Sequence, residues 1–361
     1  MRRLAMPIVA VAFFLLSTPC SSVASQGLPA LFPIQQQGKW GFIDRTGKVV
    51  VSPQFKHAGD FHEGRASIKV GDKFGFVDET GKVVIPPQFD QVTDFFAGLA
   101  RVEIGGKWGC VDPNGKMVVS PRFTSRGTFA EGRAPAQLGE KWGFIDASGA
   151  MVVPCQYVEV GPFAESLARV RLGAEWGFVD QTGKIVIQPR FDGVVGGFYE
   201  GLAAVKQGGK WGFIDTQGTM VMPPQFEAVS YFAEGLAAVK LQGNYGFIDK
   251  AGQMVVKPQY GFADIFSEGL AVIRLGDKCG YVDRTGRMAI PPRFSWAYPF
   301  SEGLAWVDLG ERLGAIDRSG KVIFTSSSGL PGQFQGGLAH FQDKQTGYLD
   351  RTGKRIWVDP D

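Results

Sequence analysis

From residue 28 onward, short apolar runs alternate with corners rich in glycine, proline and aspartate. Residues 98–121 are typical: three runs, 99–104, 107–111 and 116–120, are separated by Gly105-Gly106 and by Asp112-Pro113-Asn114-Gly115. β-Branched and aromatic residues bounded by Gly or Pro predict strands and tight turns, so each unit is expected to be a three-stranded antiparallel meander. Pro53, Pro87, Pro121, Pro189, Pro224, Pro258 and Pro292 stop the third strand, because proline cannot donate to its ladder. Interiors such as Val83-Val84-Ile85 and Gly75-Phe76-Val77 are apolar on both faces, which suits small sheets stacked face to face.

The pattern repeats ten times. A glycine recurs at Gly41, Gly75, Gly109, Gly143, Gly177, Gly212, Gly246, Gly280, Gly314 and Gly347, in steps of 34 broken by one of 35 and one of 33. Such regularity within one chain predicts a repeated structural unit. Three residues after each glycine stands an aspartate and three beyond that a second glycine: Asp44 and Gly47, Asp78 and Gly81, Asp112 and Gly115, Asp146 and Gly149, Asp180 and Gly183, Asp215 and Gly218, Asp249 and Gly252, Asp283 and Gly286, and so on to Asp350 and Gly353. In such a corner the carboxylate accepts from backbone amides two residues on, while the glycine takes positive φ. A connector of the form Phe-Asp-x-Val-x-x-Phe-x-Glu-Gly follows, as at Phe89 to Phe95, and its two aromatics are expected to plug the space between consecutive sheets.

Ten stacked sheets exceed the usual propeller range of about four to eight blades. An open superhelix or two smaller propeller-like rings is therefore expected in preference to a single closed propeller. The units begin and end whole, so the termini offer no strand exchange to close a ring. One inserted residue within 192–197 suggests a boundary between halves 27–191 and 192–361. Unit nine is degenerate, with Leu313 at the tryptophan position and no Pro-x-Phe motif, as a terminal cap would be.

Arg2 and Arg3 precede an apolar run over residues 4–16, and small or polar residues lead to Ala24. This is the pattern of a secretory signal over residues 1–24, cleaved after Ala24. It is too short to span a membrane, which takes about 20 apolar residues. Ser17, Thr18 and Pro19 before Cys20 depart from a lipobox, so no lipid is expected. The protein is read as exported, to the periplasm or the extracellular space. Cys110, Cys155 and Cys279 are odd in number and far apart, which excludes a disulfide framework.

The chain has 361 residues, with 50 Gly, 29 Phe and 8 Trp. Once the signal is removed the array fills what remains, leaving no room for a separate catalytic domain. Lys and Arg total 38 against 35 Asp and Glu, too balanced for nucleic-acid binding driven by charge. One carboxylate per turn lacks the clustered oxygens calcium needs. Glu63, Glu131, Glu165, Glu200, Glu234, Glu268 and Glu302 form a second acidic row, read as solvated corners. His57, His62 and His340 offer neither zinc spacing nor a Ser-His-Asp set. No enzyme, cofactor or metal is expected.

Gly38-Lys39-Trp40-Gly41-Phe42-Ile43-Asp44 and Phe232-Ala233-Glu234-Gly235-Leu236-Ala237-Ala238-Val239 resemble the WG (KWG) repeat family of bacterial proteins, over about residues 28 to 361. The resemblance implies a binding or scaffold protein without an assigned reaction. Tryptophan is kept at Trp40, Trp108, Trp142, Trp176 and Trp211, and gives way to Phe74, Tyr245, Cys279, Leu313 and Thr346 elsewhere. A row of exposed tryptophans could grip a glycan, but replacement by Cys or Leu is what a packing slot tolerates. The expected partner is a protein of the envelope or the extracellular space, and the alternative is carbohydrate bound by the aromatic row.

Overall fold

The computed structural model describes residues 31–359 apart from 125–126, 311, 327–333, 335 and 343–345. The signal read at residues 1–24, Cys20 included, lies outside the described residues. Among the described residues the chain forms ten antiparallel sheets, here blades 1 to 10, in sequence order. Blade 5 shows the plan. Its strands Glu159–Ala164, Leu167–Leu172, Glu175–Asp180 and Ile185–Phe191 pair each with the next.

The repeated meander is present, with one addition. Among the described residues the three expected strands form every blade; in blades 2, 3, 5, 6, 7 and 8 they are the second, third and fourth, and the connector supplies the first. Glycine-poor apolar spacing does not announce the connector as a strand because a bulge interrupts it: Val160 pairs with Val170 and Phe163 with Ala168. In blade 6 the inserted residue widens that bulge, so that Val195 faces Ala204 and Phe198 faces Ala203.

The Trp-Gly glycine is required by a close approach of backbone. The fourth strand bends at its proline and crosses back over the third, pairing Trp176 with Phe191 and Phe178 with Ile187. A Cβ on Gly177 would lie 2.4 Å from the Ile187 carbonyl oxygen and 2.6 Å from the Pro189 nitrogen. In degenerate blade 9 that crossing is lost, and Gly314 pairs in register with Thr325.

The blades pack face to face. Between blades 5 and 6, Leu167, Phe178, Ile187 and Phe191 meet Phe198, Ala203, Val205 and Ile214. Phe178 and Phe198 have ring centroids 4.8 Å apart, and Phe42–Phe61, Phe76–Phe95, Phe144–Phe163, Phe213–Phe232, Phe247–Phe266 and Tyr281–Phe300 repeat the pair. The connector aromatics thus plug the inter-sheet space as expected. The Asp-x-x-Gly corner of each blade presses on the blade before it: a Cβ on Gly183 would meet Val153 Cγ2 at 2.9 Å, and one on Gly81 would meet Val51 Cγ2 at 2.3 Å.

The same contact joins blade 10 to blade 1. A Cβ on Gly47 would sit 2.1 Å from the Ile356 carbonyl oxygen, and Phe32, Ile34 and Ile43 share a buried cluster with Leu338, Tyr348 and Trp357. Tyr348 Oη donates to the Pro33 carbonyl at 2.9 Å. The array is therefore one closed ten-bladed propeller, not an open superhelix or two smaller rings. Closure needs no strand exchange, because the two end sheets meet by the same face-to-face packing as their neighbours.

The first strands face the axis. His57–His62 of blade 2 lies against Leu31–Gln36 of blade 1, and Gly193–Tyr199 of blade 6 lies against Glu159–Ala164 of blade 5, whereas fourth strands of neighbouring blades show no comparable approach. Sheets in a ring converge inward and splay outward. One rim carries the Glu-Gly and Asp-x-x-Gly turns, the other the Gly-Gly hairpins and the short links from each fourth strand to the next blade.

Gly47→Ala should lower stability by about 2–4 kcal/mol, since its Cβ strikes backbone and its φ of +89° is strained for alanine. Gly105→Ala, at φ +59° with nothing within 4 Å, should cost distinctly less. Equal losses of the denaturant midpoint in the two variants would contradict the contact.

Candidate functional site

The turn aspartates act on their own backbone. Asp180 Oδ1 accepts from the Thr182 amide at 2.9 Å, the Thr182 hydroxyl at 2.6 Å and the Lys184 amide at 3.0 Å. The amide pair recurs from Asp44, Asp78, Asp112 and Asp146 through Asp215, Asp249, Asp283, Asp317 and Asp350. The partner glycines Gly47, Gly81, Gly115, Gly149, Gly183, Gly218, Gly252 and Gly286 all have φ between +80° and +89°. The hydroxyl bond, helped by the amides and opposed by partial desolvation, holds Asp44, Asp78, Asp146, Asp180, Asp283 and Asp317 below the ordinary carboxylate range.

The second acidic row has a role that its sequence pattern did not disclose. Each of these glutamates sits at φ +51° to +55°, followed by a residue also at positive φ, as a type I′ hairpin requires. Its carboxylate reaches the same turn of the next blade. Glu63 accepts from the Ala97 and Gly98 amides at 2.8 and 2.9 Å, Glu131 from Ser166 at 2.8 Å, and Glu165 from Gly201 at 2.9 Å. Glu200, Glu234, Glu268 and Glu302 do the same to Gly235, Gly269, Gly303 and Gly337. These are charge-assisted clasps between blades, not merely solvated corners. The signal was present in the spacing, since a glutamate and a glycine 35 residues apart meet only when successive units are superimposed.

The tryptophans of the repeat sit in slots between the rim and the core. Trp108 is buried and Trp40, Trp142, Trp176 and Trp211 are half-buried. Four of them have neighbours against the ring: Arg101 lies 5.4 Å from the Trp108 ring, Arg169 and Arg171 5.5 and 5.7 Å from Trp176, Lys206 5.8 Å from Trp211, and His57 5.7 Å from Trp40. Trp296, which is not a repeat tryptophan, is 56% exposed. Arg274 stands 5.4 Å from its ring, and Tyr298 and Phe262, in the same and the preceding blade, are also exposed.

Few titratable groups gather elsewhere. His62 Nδ1 lies 3.5 Å from Asp94 Oδ2 near the axis, and burial holds His57 and His340 below the ordinary histidine range. Among the described residues no group of three or more His, Cys, Asp or Glu is placed to hold a metal. The three cysteines are free thiols, and burial pushes Cys110 up to about 11. Cys110 stands where eight of the other blades place Phe or Tyr, and it leaves a cleft against Phe129 with room for roughly one or two waters.

A closed ring of one repeated β unit defines a propeller whose chemistry lies in rims and slots. The WG containing repeat model matches residues 40–74, 74–108, 108–142, 142–175, 176–211, 211–245, 245–279 and 280–312, and the chain belongs to this family. No curated protein matches the sequence. Among solved structures, a eukaryotic initiation factor is similar over 83% of this chain and 96% of its own, at 12% identity and a TM-score of 0.54, which shows the fold alone. PorZ, a surface component of the type-IX secretion system of Porphyromonas gingivalis, is similar over 85% of this chain and 52% of its own, at 11% identity and a TM-score of 0.30. No helix among the described residues is long and apolar enough to cross a membrane.

Glu234→Ala should cost roughly 1 kcal/mol, measured as a lower unfolding midpoint, because it frees the Gly269 amide. The depressed turn aspartates stabilise the fold fully above their unfolded value of about 3.9, and that contribution is lost as pH falls through their folded values. Thermal unfolding should therefore be level from about pH 5 to 7 and drop below about pH 4. A melting temperature that rises on acidification would contradict the assignment.

Proposed function

We propose that the protein is an exported, non-enzymatic scaffold that binds a protein partner in the cell envelope or outside the cell. The observation that carries this reading is the surface around Trp296. The recurrent acids are engaged in turns and clasps, and four of the five repeat tryptophans have a cation or a histidine against the ring. Among the described residues Trp296, at 56%, is the most exposed of the large apolar side chains, with Arg274 against its ring and Tyr298 and Phe262 also exposed. Tryptophan, tyrosine and arginine are the side chains that dominate protein-interface energetics. Export rests on the signal read at residues 1–24, and the scaffold role on membership of the WG-repeat family. Half-buried slots with occupied faces speak against an aromatic row for glycan.

Envelope and culture-fluid proteins retained by the chain lacking residues 1–24 should be lost with Trp296→Ala, with affinity falling about 30-fold or more. Retention that is unchanged by the substitution, or that is displaced by soluble cell-wall glycan, would overturn the reading.

A further inference from the structure

Blades 5 and 8 carry an arginine at the same position of the second strand, and only one of the two is neutralised. Arg171 pairs across the sheet with Glu159, whose carboxylate lies 3.1 Å from Arg171 Nη2. Arg274 pairs in the same register with Phe262, so the cross-strand acid is missing. Among the described residues three arginines, Arg169, Arg171 and Arg274, keep a buried Nε without a partner. Arg169 donates Nη1 to the Gly196 carbonyl and Arg171 has Glu159, whereas the Arg274 guanidinium makes no hydrogen bond or ion pair to any described residue.

The surroundings of Arg274 hold it in place and supply no counter-charge. Blade 8 has Cys279 where blade 5 has Trp176, so the guanidinium finds no indole on its own sheet and stands 5.4 Å from the ring of Trp296 in blade 9. Trp296 occupies there the connector position that Glu159 and Phe262 occupy in their blades. Lys278 Nζ reaches Ser295 Oγ at 3.3 Å, and Lys240, at the strand position of Arg274 in blade 7, lies 5.6 Å from the Tyr245 ring. Neither lysine has an ion pair among the described residues. Of the acids in these strands, hairpins and links, Asp308 accepts from the Gly310 amide at 2.6 Å, Glu227 accepts from the Gly243 amide at 3.1 Å, and Asp277 is exposed at a hairpin tip. A half-buried guanidinium set against an aromatic ring, with cations near it and no acid, suits a carboxylate: its planar fork matches the two oxygens, and partial desolvation strengthens the bond.

We propose that Arg274 binds an aspartate or glutamate side chain of the protein partner, while an apolar side chain beside that acid rests on Trp296 and Phe262. The proposal rests on the partner reading given above and adds the partner's chemistry to it. Arg274 lies between the two rings, paired with Phe262 across the sheet and set against Trp296 of the next blade, so one short acidic and apolar segment meets all three. The partner's carboxylate takes the place that Glu159 takes beside Arg171. Phe262→Glu supplies that acid from within the chain, in the register blade 5 already uses, and so blocks the site.

Two dipeptides that differ by one charge, acetyl-Glu-Phe-amide and acetyl-Gln-Phe-amide, test the site on the 15N-labelled chain lacking residues 1–24, at equal ionic strength. The glutamate peptide should shift the Arg274 Nε–H and Trp296 indole N–H resonances to saturation, bind about fivefold or more tightly than the glutamine peptide, and leave the Arg171 Nε–H in place. Arg274→Gln and Phe262→Glu should each abolish the preference, whereas Phe262→Gln, which removes the same ring without adding a charge, should keep it. Equal binding of the two peptides, no shift at Arg274, or a preference that survives Arg274→Gln or Phe262→Glu overturns the site. For the partner, Arg274→Gln and Phe262→Glu should both weaken the retention that depends on Trp296, and retention unchanged in both overturns the partner's acid as occupant while the contact at Trp296 stands. Failure of the unmodified chain to retain any protein would strike the partner reading instead, and leave the peptide preference standing.

Discussion

The corner glycine of each Asp-x-x-Gly turn lies against the preceding blade, at several corners so close that a Cβ would collide with it. Gly183 faces Val153, Gly115 faces Ile85, and Gly47 faces the backbone of Ile356. Because the turn also needs positive φ, one residue type satisfies both conditions, and the aspartate three positions earlier fixes the turn that brings the glycine into place. Each blade is thereby set in register with its neighbour. Repeated around the ring, the same contact carries blade 10 onto blade 1.

The clasps and the aromatic pairs add to that register from two sides. On the rim, a glutamate held at strained positive φ reaches the next blade's amides; in the interior, a connector phenylalanine stacks edge-on against the preceding blade. Departures are informative because so many copies are regular. Blade 3 offers Ala97 where a clasp is expected and Cys110 where an aromatic is expected, so its junction with blade 4 lacks both, and Trp108 and Arg101 fold inward there instead. The junction of blades 10 and 1 has the buried Tyr348–Pro33 hydrogen bond and the Phe32–Tyr348 ring pair, 5.5 Å apart.

Local structure was legible in the sequence to the extent that it is local. Strands, hairpins and the aspartate corners follow from residues within four positions of one another. The connector strand was hidden because its bulge breaks the alternation, and its pairing depends on the chain that follows. Closure was hidden for a different reason: it is the sum of ten small rotations, none of which is written in any one unit. The glutamates read as solvated corners because their acceptor role joins residues 35 apart. Trp296 lies outside the repeated motif, so periodicity gave it no prominence.

Whether the ends meet is the question on which the ring stands. Fluorophores or spin labels placed at Lys48 in blade 1 and Lys354 in blade 10 should report a separation of about one sheet spacing plus the label arms, on the order of 10–30 Å. A distance of several blade widths, ~60 Å or more, would show an open array and contradict the closed propeller.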